Sequence, residues 1–225
     1  MLSTSDQDTL TISRWQICQR QLIESLRSQP LLVVLRPDLA DLTPRHLDRS
    51  GFVCLVDRLA NAGVRHLEIA WTPHPRWGEL ITSLRQSYPD LHLGVASVTS
   101  ADALQAVIDL GVSYAMSPCF DPILLEMAQR HGQLLVPGVF SPSEFQQAMS
   151  RGCELVKLFP ASVVGCDYLR QLSAPLDPLP LVIAAGGLGV ADLDPWLSSG
   201  CHAVALGRGI MRRHSLDQAL LSWLK

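Results

Sequence analysis

From residue 31 onward, short β-branched or Leu-rich runs alternate with stretches in which apolar residues return every third or fourth position. The runs cover residues 31–35, 64–71, 91–98, 113–116, 134–136, 154–159, 181–184 and 203–206, and each has the length and composition of a strand. The stretches between them, among them 51–61, 77–87, 101–110, 122–131, 142–150 and 191–199, have the length and period of helices. Local chemistry marks the boundaries. Ser100, Asp121 and Ser141 are N-cap residue types, and Pro122 and Pro142 follow two of them at the first helical position, where a missing N–H costs nothing. Gly63, Gly111, Gly132, Gly152 and Gly200 each fall between the end of a helical stretch and the next run, the place of a helix-ending glycine.

Near-continuous apolar strands joined by helices predict a parallel sheet with helices on its outer side. Eight such units fit a (β/α)8 TIM barrel, α/β in class, with residues 1–225 forming one domain. The rival is an open, doubly wound sheet. Such a sheet normally carries a glycine-rich turn after its first strand, and here that strand ends in Leu35-Arg36-Pro37-Asp38. Residues 1–30 read as an extra N-terminal helix with Ile12, Trp15, Ile17, Leu22, Ile23 and Leu26 on its apolar face, placed to cap one end of the barrel.

Composition narrows the function classes. A chain of 225 residues with 48% hydrophobic and 17% charged residues can bury a sizeable core. Its net charge of −3 gives no general attraction for nucleic acid or an anionic membrane, so neither is expected as a partner and an anionic ligand must be caught locally. No apolar stretch approaches the roughly 20 residues of a membrane span, and the polar opening Met1-Leu2-Ser3-Thr4-Ser5-Asp6 is unlike a signal peptide; the expectation is a cytoplasmic protein. Six cysteines without a C-x-x-C pair and seven dispersed histidines offer no metal-ligand spacing, and no metal or cofactor is expected.

One residue stands out against this background. Lys157 is the only lysine before the C-terminal Lys225, and it lies inside the apolar run Leu155-Val156-Lys157-Leu158-Phe159. Burial disfavours the charged ammonium, and the resulting free amine is a nucleophile toward carbonyl carbon. The plainer alternative is a lysine whose stem is buried and whose ammonium reaches water. Strand alternation puts Glu68 on one face with His66 and Ala70, opposite the apolar Leu67, Ile69 and Trp71, so its carboxylate should point into the barrel and meet Lys157. Taken alone, Glu68 reads equally as a structural ion-pair partner; paired with a Schiff-base lysine it becomes a proton carrier. Two glycine clusters, Gly186-Gly187-Leu188-Gly189 and Gly207-Arg208-Gly209, follow the last two strands, where barrels of this type commonly bind phosphate.

These segments together resemble the 2-keto-3-deoxy-6-phosphogluconate (KDPG) aldolase / 4-hydroxy-2-oxoglutarate aldolase family. The resemblance rests on Ala62-Gly63-Val64-Arg65-His66-Leu67-Glu68-Ile69, Leu93-Gly94-Val95-Ala96-Ser97-Val98, Ser117-Pro118, Val136-Pro137-Gly138-Val139, Ser141-Pro142-Ser143-Glu144, Val156-Lys157-Leu158-Phe159-Pro160-Ala161 and Ala185-Gly186-Gly187, from Leu31 to Ile210 in extent. It implies a metal-independent class I aldolase on a (β/α)8 barrel that acts on a small 2-keto acid and forms a homotrimer. It also implies Lys157 as the Schiff-base lysine and Glu68 as the general acid/base, with Ser97, Pro118, Phe159, Gly186, Gly187 and Gly207 around the substrate. Two departures concern the substrate. Where the family places a carboxylate-binding arginine after the glutamate, this chain reads Ala70-Trp71-Thr72-Pro73, so Arg36, or less directly Arg76, must supply that charge. Arg208 replaces a small residue after the last strand and either adds to anion binding or points to solvent.

The expected reaction is reversible cleavage of a 2-keto-4-hydroxy acid to pyruvate and an aldehyde. The same lysine imine can also carry oxaloacetate decarboxylation, and from another class altogether the chain can be read as a non-catalytic barrel that binds phosphorylated metabolites. Turnover of the candidate acids separates the first two, and failure to form a pyruvate adduct marks the third.

Overall fold

Each of the eight predicted runs contributes a strand to the computed structural model, which describes residues 4–43, 50–212 and 215–225. The strands are β1 (Leu31–Leu35), β2 (His66–Ala70), β3 (His92–Ala96), β4 (Tyr114–Met116), β5 (Leu135–Val136), β6 (Gly138–Val139), β7 (Leu155–Leu158), β8 (Leu181–Ala185) and β9 (Ala203–Leu206). They form one sheet of order β5-β4-β3-β2-β1-β9-β8-β7-β6, all neighbours parallel. The run predicted over 134–136 continues to Val139 and is split by Pro137, which has no N–H to give to a ladder. Its first half, β5, pairs with β4 and its second half, β6, with β7, so β5 and β6 together act as one strand that closes the (β/α)8 barrel.

The helices are α1 (Thr4–Ser28), α2 (Leu39–Leu42), α3 (Gly51–Asn61), α4 (Trp77–Ser87), α5 (Ala101–Leu110), α6 (Pro122–Arg130), α7 (Pro142–Ser150), α8 (Tyr168–Leu176), α9 (Leu193–Ser198) and α10 (Gln218–Trp223). Their starts follow the capping chemistry. Ser100 accepts from the Ala103 N–H, Asp121 from those of Ile123 and Leu124, and Ser141 forms a reciprocal capping box with Glu144. All five predicted helix-ending glycines have φ between 59° and 94°. The stretch 191–199 resolves into a 3-10 turn, Val190–Asp192, followed by α9.

Helix α1 lies across the N-terminal ends of the strands. Ser25 Oγ is 2.7 Å from His66 Nε2, His202 Nε2 is 3.1 Å from the Ile23 carbonyl, and the Gln19 amide donates to Gly152 O while its oxygen accepts from the N–H groups of Glu154 and Leu155. Trp15, Leu22, Ile23 and Leu26 are buried as expected, but Ile17 is 53% exposed. Ile17 lies about 200° around the helix from Trp15, on the solvent side, and the buried Gln19 takes the inward position instead. Residues 1–3 and the side chain of Ile12 lie outside the described ones. No described helix is long and apolar enough to cross a membrane.

His66 forms part of this floor and gives it a pH dependence. It is fully buried and stacked on His92 at 5.1 Å; burial first, and then the charge of His92, lower its pKa to about 4. The unfolded chain, with His66 near the ordinary 6.5, takes up a proton that the folded protein refuses. The stability contribution is therefore complete above about pH 6.5 and is lost as pH falls toward 4, at up to about 1.4 kcal/mol per pH unit. In His66→Gln this part of the slope should vanish, as measured by urea denaturation between pH 7 and pH 4.

Candidate active site

The parallel register decides what faces the barrel interior. Val34, Glu68, Gly94 and Tyr114 align across β1 to β4, and Gly138, Lys157, Ile183 and Ala203 align across β6 to β9. Beyond these rows, at the C-terminal ends of the strands, opens a cavity of about 870 Å³. Nine of the ten sequence-predicted site residues line it: Arg36, Ser97, Pro118, Lys157, Phe159, Gly186, Gly187, Gly207 and Arg208. The tenth, Glu68, lies beneath it and is fully buried.

Lys157 is 6% exposed, with its Nζ 5.7 Å from the centroid of the Phe159 ring. Behind it, neither carboxylate oxygen of Glu68 finds a hydrogen-bond partner among the described residues. Burial raises the pKa of Glu68, and the charge of Lys157 opposes that rise. A carboxyl group held above its usual range, beside an amine and without a hydrogen-bond partner among the described residues, is placed to take up and return a proton.

Ser97 reaches the cavity by breaking strand alternation. Ala96 already faces inward at the end of β3, so regular backbone would turn Ser97 outward; at φ 63° the chain reverses and both residues line the cavity. A non-glycine residue in this region costs of order 1–2 kcal/mol, and such strain concentrates at functional sites. Arg36, at the end of β1, reaches across β2 to donate from Nη2 to Ser97 Oγ at 2.9 Å, a path that the small Ala70 at the end of β2 leaves open. Arg76 does not line the cavity; its Nε bonds Glu79 at 3.0 Å and its Nη1 the Leu42 carbonyl at 3.3 Å, outside the strand ring.

The opposite wall is glycine because nothing larger fits. A Cβ on Gly186, whose φ is 94°, would lie 2.7 Å from the Phe159 ring, and one on Gly187 would run into Ser162. Ser162 also lines the cavity and escaped sequence reasoning, whereas Leu188 and Gly189, which line it too, belong to the glycine cluster that the sequence marked. For Ser162 the available signal was its place in the loop that continues from Lys157, three residues past Phe159. Among the described residues the charged lining ones are Lys157, Arg36 and Arg208, and no carboxylate joins them. A concave site whose described charged residues are all cations attracts anions, although the chain as a whole carries −3. Among the described residues no group of three or more His, Cys, Asp or Glu is placed to hold a metal ion.

Comparison with known proteins places this geometry among relatives. The family model described as KDPG and KHG aldolase matches residues 39–220. The 2-dehydro-3-deoxy-6-phosphogalactonate aldolase of Escherichia coli is 27% identical over 184 residues, 81% of this chain and 85% of that protein. The 2-dehydro-3-deoxy-phosphogluconate aldolase of Haemophilus influenzae is 26% identical over 180 residues, 80% of each. The fold is shared with KDPG aldolase from Legionella pneumophila, solved with pyruvate captured as a covalent carbinolamine, at a TM-score of 0.70, 23% identity, and coverage of 87% of this chain and 91% of that one.

The crowded glycine wall yields a test of its own. Gly186→Ala adds a methyl against the Phe159 ring at a positive φ, and is expected to destabilise the protein by about 1–3 kcal/mol in urea denaturation. Gly51→Ala, whose Cβ meets nothing within 4 Å, is the control and should cost far less.

Proposed function

This chain belongs to the KDPG and KHG aldolase family, and on that premise we propose that it is a class I aldolase cleaving a phosphorylated 2-keto-3-deoxy acid through an imine on Lys157. The observation that carries the reading is the placement of Lys157: a nearly buried amine at the base of an anion-attracting cavity, with a fully buried carboxyl group behind it that has no hydrogen-bond partner among the described residues. The Legionella relative of the same fold, captured with pyruvate as a carbinolamine, supports the same chemistry.

In this mechanism the neutral Lys157 amine attacks the C2 ketone of the substrate, and Glu68 supplies the proton with which the carbinolamine hydroxyl departs as water. The iminium formed is an electron sink. Ionised Glu68 then takes the C4 hydroxyl proton as the C3–C4 bond breaks; the electron pair flows into the iminium, giving an enamine on Lys157 and a free aldehyde. Protonation of the enamine at C3 and hydrolysis of the imine release pyruvate and regenerate the lysine. The apolar face of Phe159 and the buried strand row beneath keep bulk water from the amine.

Arg36 holds the substrate carboxylate in place of an arginine after Glu68, and its bond to Ser97 fixes the guanidinium at the mouth. The phosphate lies against Arg208 and the backbone N–H groups of the Gly186-Gly187 turn, whose lack of side chains permits close approach. The proposal includes a cytoplasmic homotrimer, for which the exposed Ile123, Phe140 and Val163 offer apolar surface.

Borohydride reduction in the presence of pyruvate is expected to add one reduced pyruvyl group to the peptide containing Lys157, read by intact mass and peptide mapping. Labelling confined to Lys225 or the N-terminus removes the imine from the reading. Lys157→Arg should abolish turnover, because a guanidinium that stays protonated cannot form the imine.

The two arginines divide the substrate between them. Arg36→Ala should raise KM for 2-keto-3-deoxy-6-phosphogluconate and for unphosphorylated 4-hydroxy-2-oxoglutarate alike, since both carry the carboxylate. Arg208→Ala should weaken only the phosphorylated acid, by about 1.5–3 kcal/mol for a lost charge-assisted hydrogen bond. Equal effects on both acids would remove the phosphate from Arg208.

A further inference from the structure

Tyr114 is buried as deeply as Glu68 and, like it, has no hydrogen-bond partner among the described residues. Its position is unusual for a barrel interior. Tyr114 on β4 pairs with Gly94 on β3, and Gly94 pairs with Glu68 on β2, so tyrosine and glutamate flank a residue without a side chain. The phenol fills that space. A Cβ built on Gly94 would collide with Cε2, Cζ and Cδ2 of the Tyr114 ring, so the ring lies flat over β3 and carries its hydroxyl past Gly94 toward the strand of Glu68. Two neighbouring strands are about 10 Å from β4 to β2, and a tyrosine crossing one of them spans more than half of that distance.

Three oxygens, Oη of Tyr114 and both carboxylate oxygens of Glu68, are thus out of water and without protein partners in one region of the interior. Buried polar groups of this kind are satisfied, and a water with donors and acceptors on both sides does so at little cost. We propose that Tyr114 is a positioning residue for the proposed acid/base Glu68, its phenol donating to a water that in turn donates to the Glu68 carboxylate. The link favours the ionised carboxylate and so opposes burial, returning Glu68 to the range in which it can exchange protons. Burial, and then the charge of Glu68, hold the Tyr114 phenol well above its ordinary value, so it stays a donor at every working pH. The other groups around Glu68 are few. Its strand neighbours Val34 and Gly94 are uncharged, Lys157 faces it from β7, and His66 and His92 lie on its side of the sheet at the floor below.

This inference rests on the reading of Glu68 as acid/base, and the experiment separates the two. The acid limb of the kcat profile, measured with saturating substrate, reports ionisation of the base in the enzyme–substrate complex. Tyr114→Phe keeps the ring over Gly94 and removes only the donor; its acid limb is expected to rise by about one pH unit. Replacing the protein's three tyrosines with 3-fluorotyrosine, a more acidic and stronger donor, should move the limb down, and the same labelling in Tyr114→Phe should have no effect. Glu68→Gln should lose about 10²–10⁴-fold in kcat together with the limb itself. Limbs of wild type and Tyr114→Phe that superimpose, with Glu68→Gln inactive, overturn the role of Tyr114 and leave that of Glu68. Wild-type turnover in Glu68→Gln overturns both. Should Tyr114→Phe melt below the assay temperature, the fluorotyrosine comparison decides: an unmoved limb rejects the water link.

Discussion

Two ionisable side chains withdrawn from water in the same barrel interior, Glu68 and Lys157, set the terms for the rest of the structure. Burying either charge alone is costly enough that the group ordinarily neutralises instead. Here burial raises the Glu68 pKa while the lysine opposes it, and no direct ion pair joins the two among the described residues. A tight pair would have fixed both charges and left an inert lysine. Separation leaves the carboxyl group free to change protonation state, the property on which the proposed acid/base role rests.

That arrangement asks the surrounding strands for space. Gly94 and Gly138 lie in register beside Glu68 and Lys157 respectively. Gly94 makes room for the Tyr114 ring, whereas a side chain on Gly138 would collide with the backbone of Pro118 and Cys119, so the β4 loop can lean in over the lysine. Small residues in strand interiors normally weaken a sheet. In this barrel they admit one aromatic ring and one loop to the centre, and the large apolar side chains that pack the sheet are displaced to its helical side, where Leu67, Ile69, Val95, Val156 and Leu158 are all buried.

Much of this was legible in the sequence because the relevant signals are local. Apolar runs, cap residues and helix-ending glycines located the eight strand segments and most helix boundaries, and an isolated lysine in an apolar run pointed to the cavity at the strand ends. What escaped depends on contacts between distant strands. Tyr114 sits in an ordinary-looking run, and nothing in Ser113-Tyr114-Ala115-Met116 tells that its ring crosses a neighbouring strand to face Glu68. Ile17 was assigned to the buried face by hydrophobicity, although the 100° step per residue turns it to solvent and brings polar Gln19 inward to serve strand-end N–H groups. Pro137 divides the closing strand in a way that only the pairing of both halves reveals. Composition and the missing arginine after Glu68 called for a replacement cation, and of the two candidates the chain offered, the structure brings Arg36 to the cavity and keeps Arg76 outside it.

The placement of the cations follows from strand order. β1 and β9 are neighbours, so Arg36 and Arg208, which end or follow them, share one side of the rim, while Lys157 enters from β7 beyond β8. The substrate proposed for this site, with a carboxylate beside its ketone and a phosphate at its far end, would lay the ketone over Lys157 and divide its two anionic ends along that rim. Arg36 is held toward β3 by its bond to Ser97. That bond depends on the left-handed backbone of Ser97, which turns its hydroxyl into the cavity, so a single strained residue at the end of β3 sets where the Arg36 guanidinium lies.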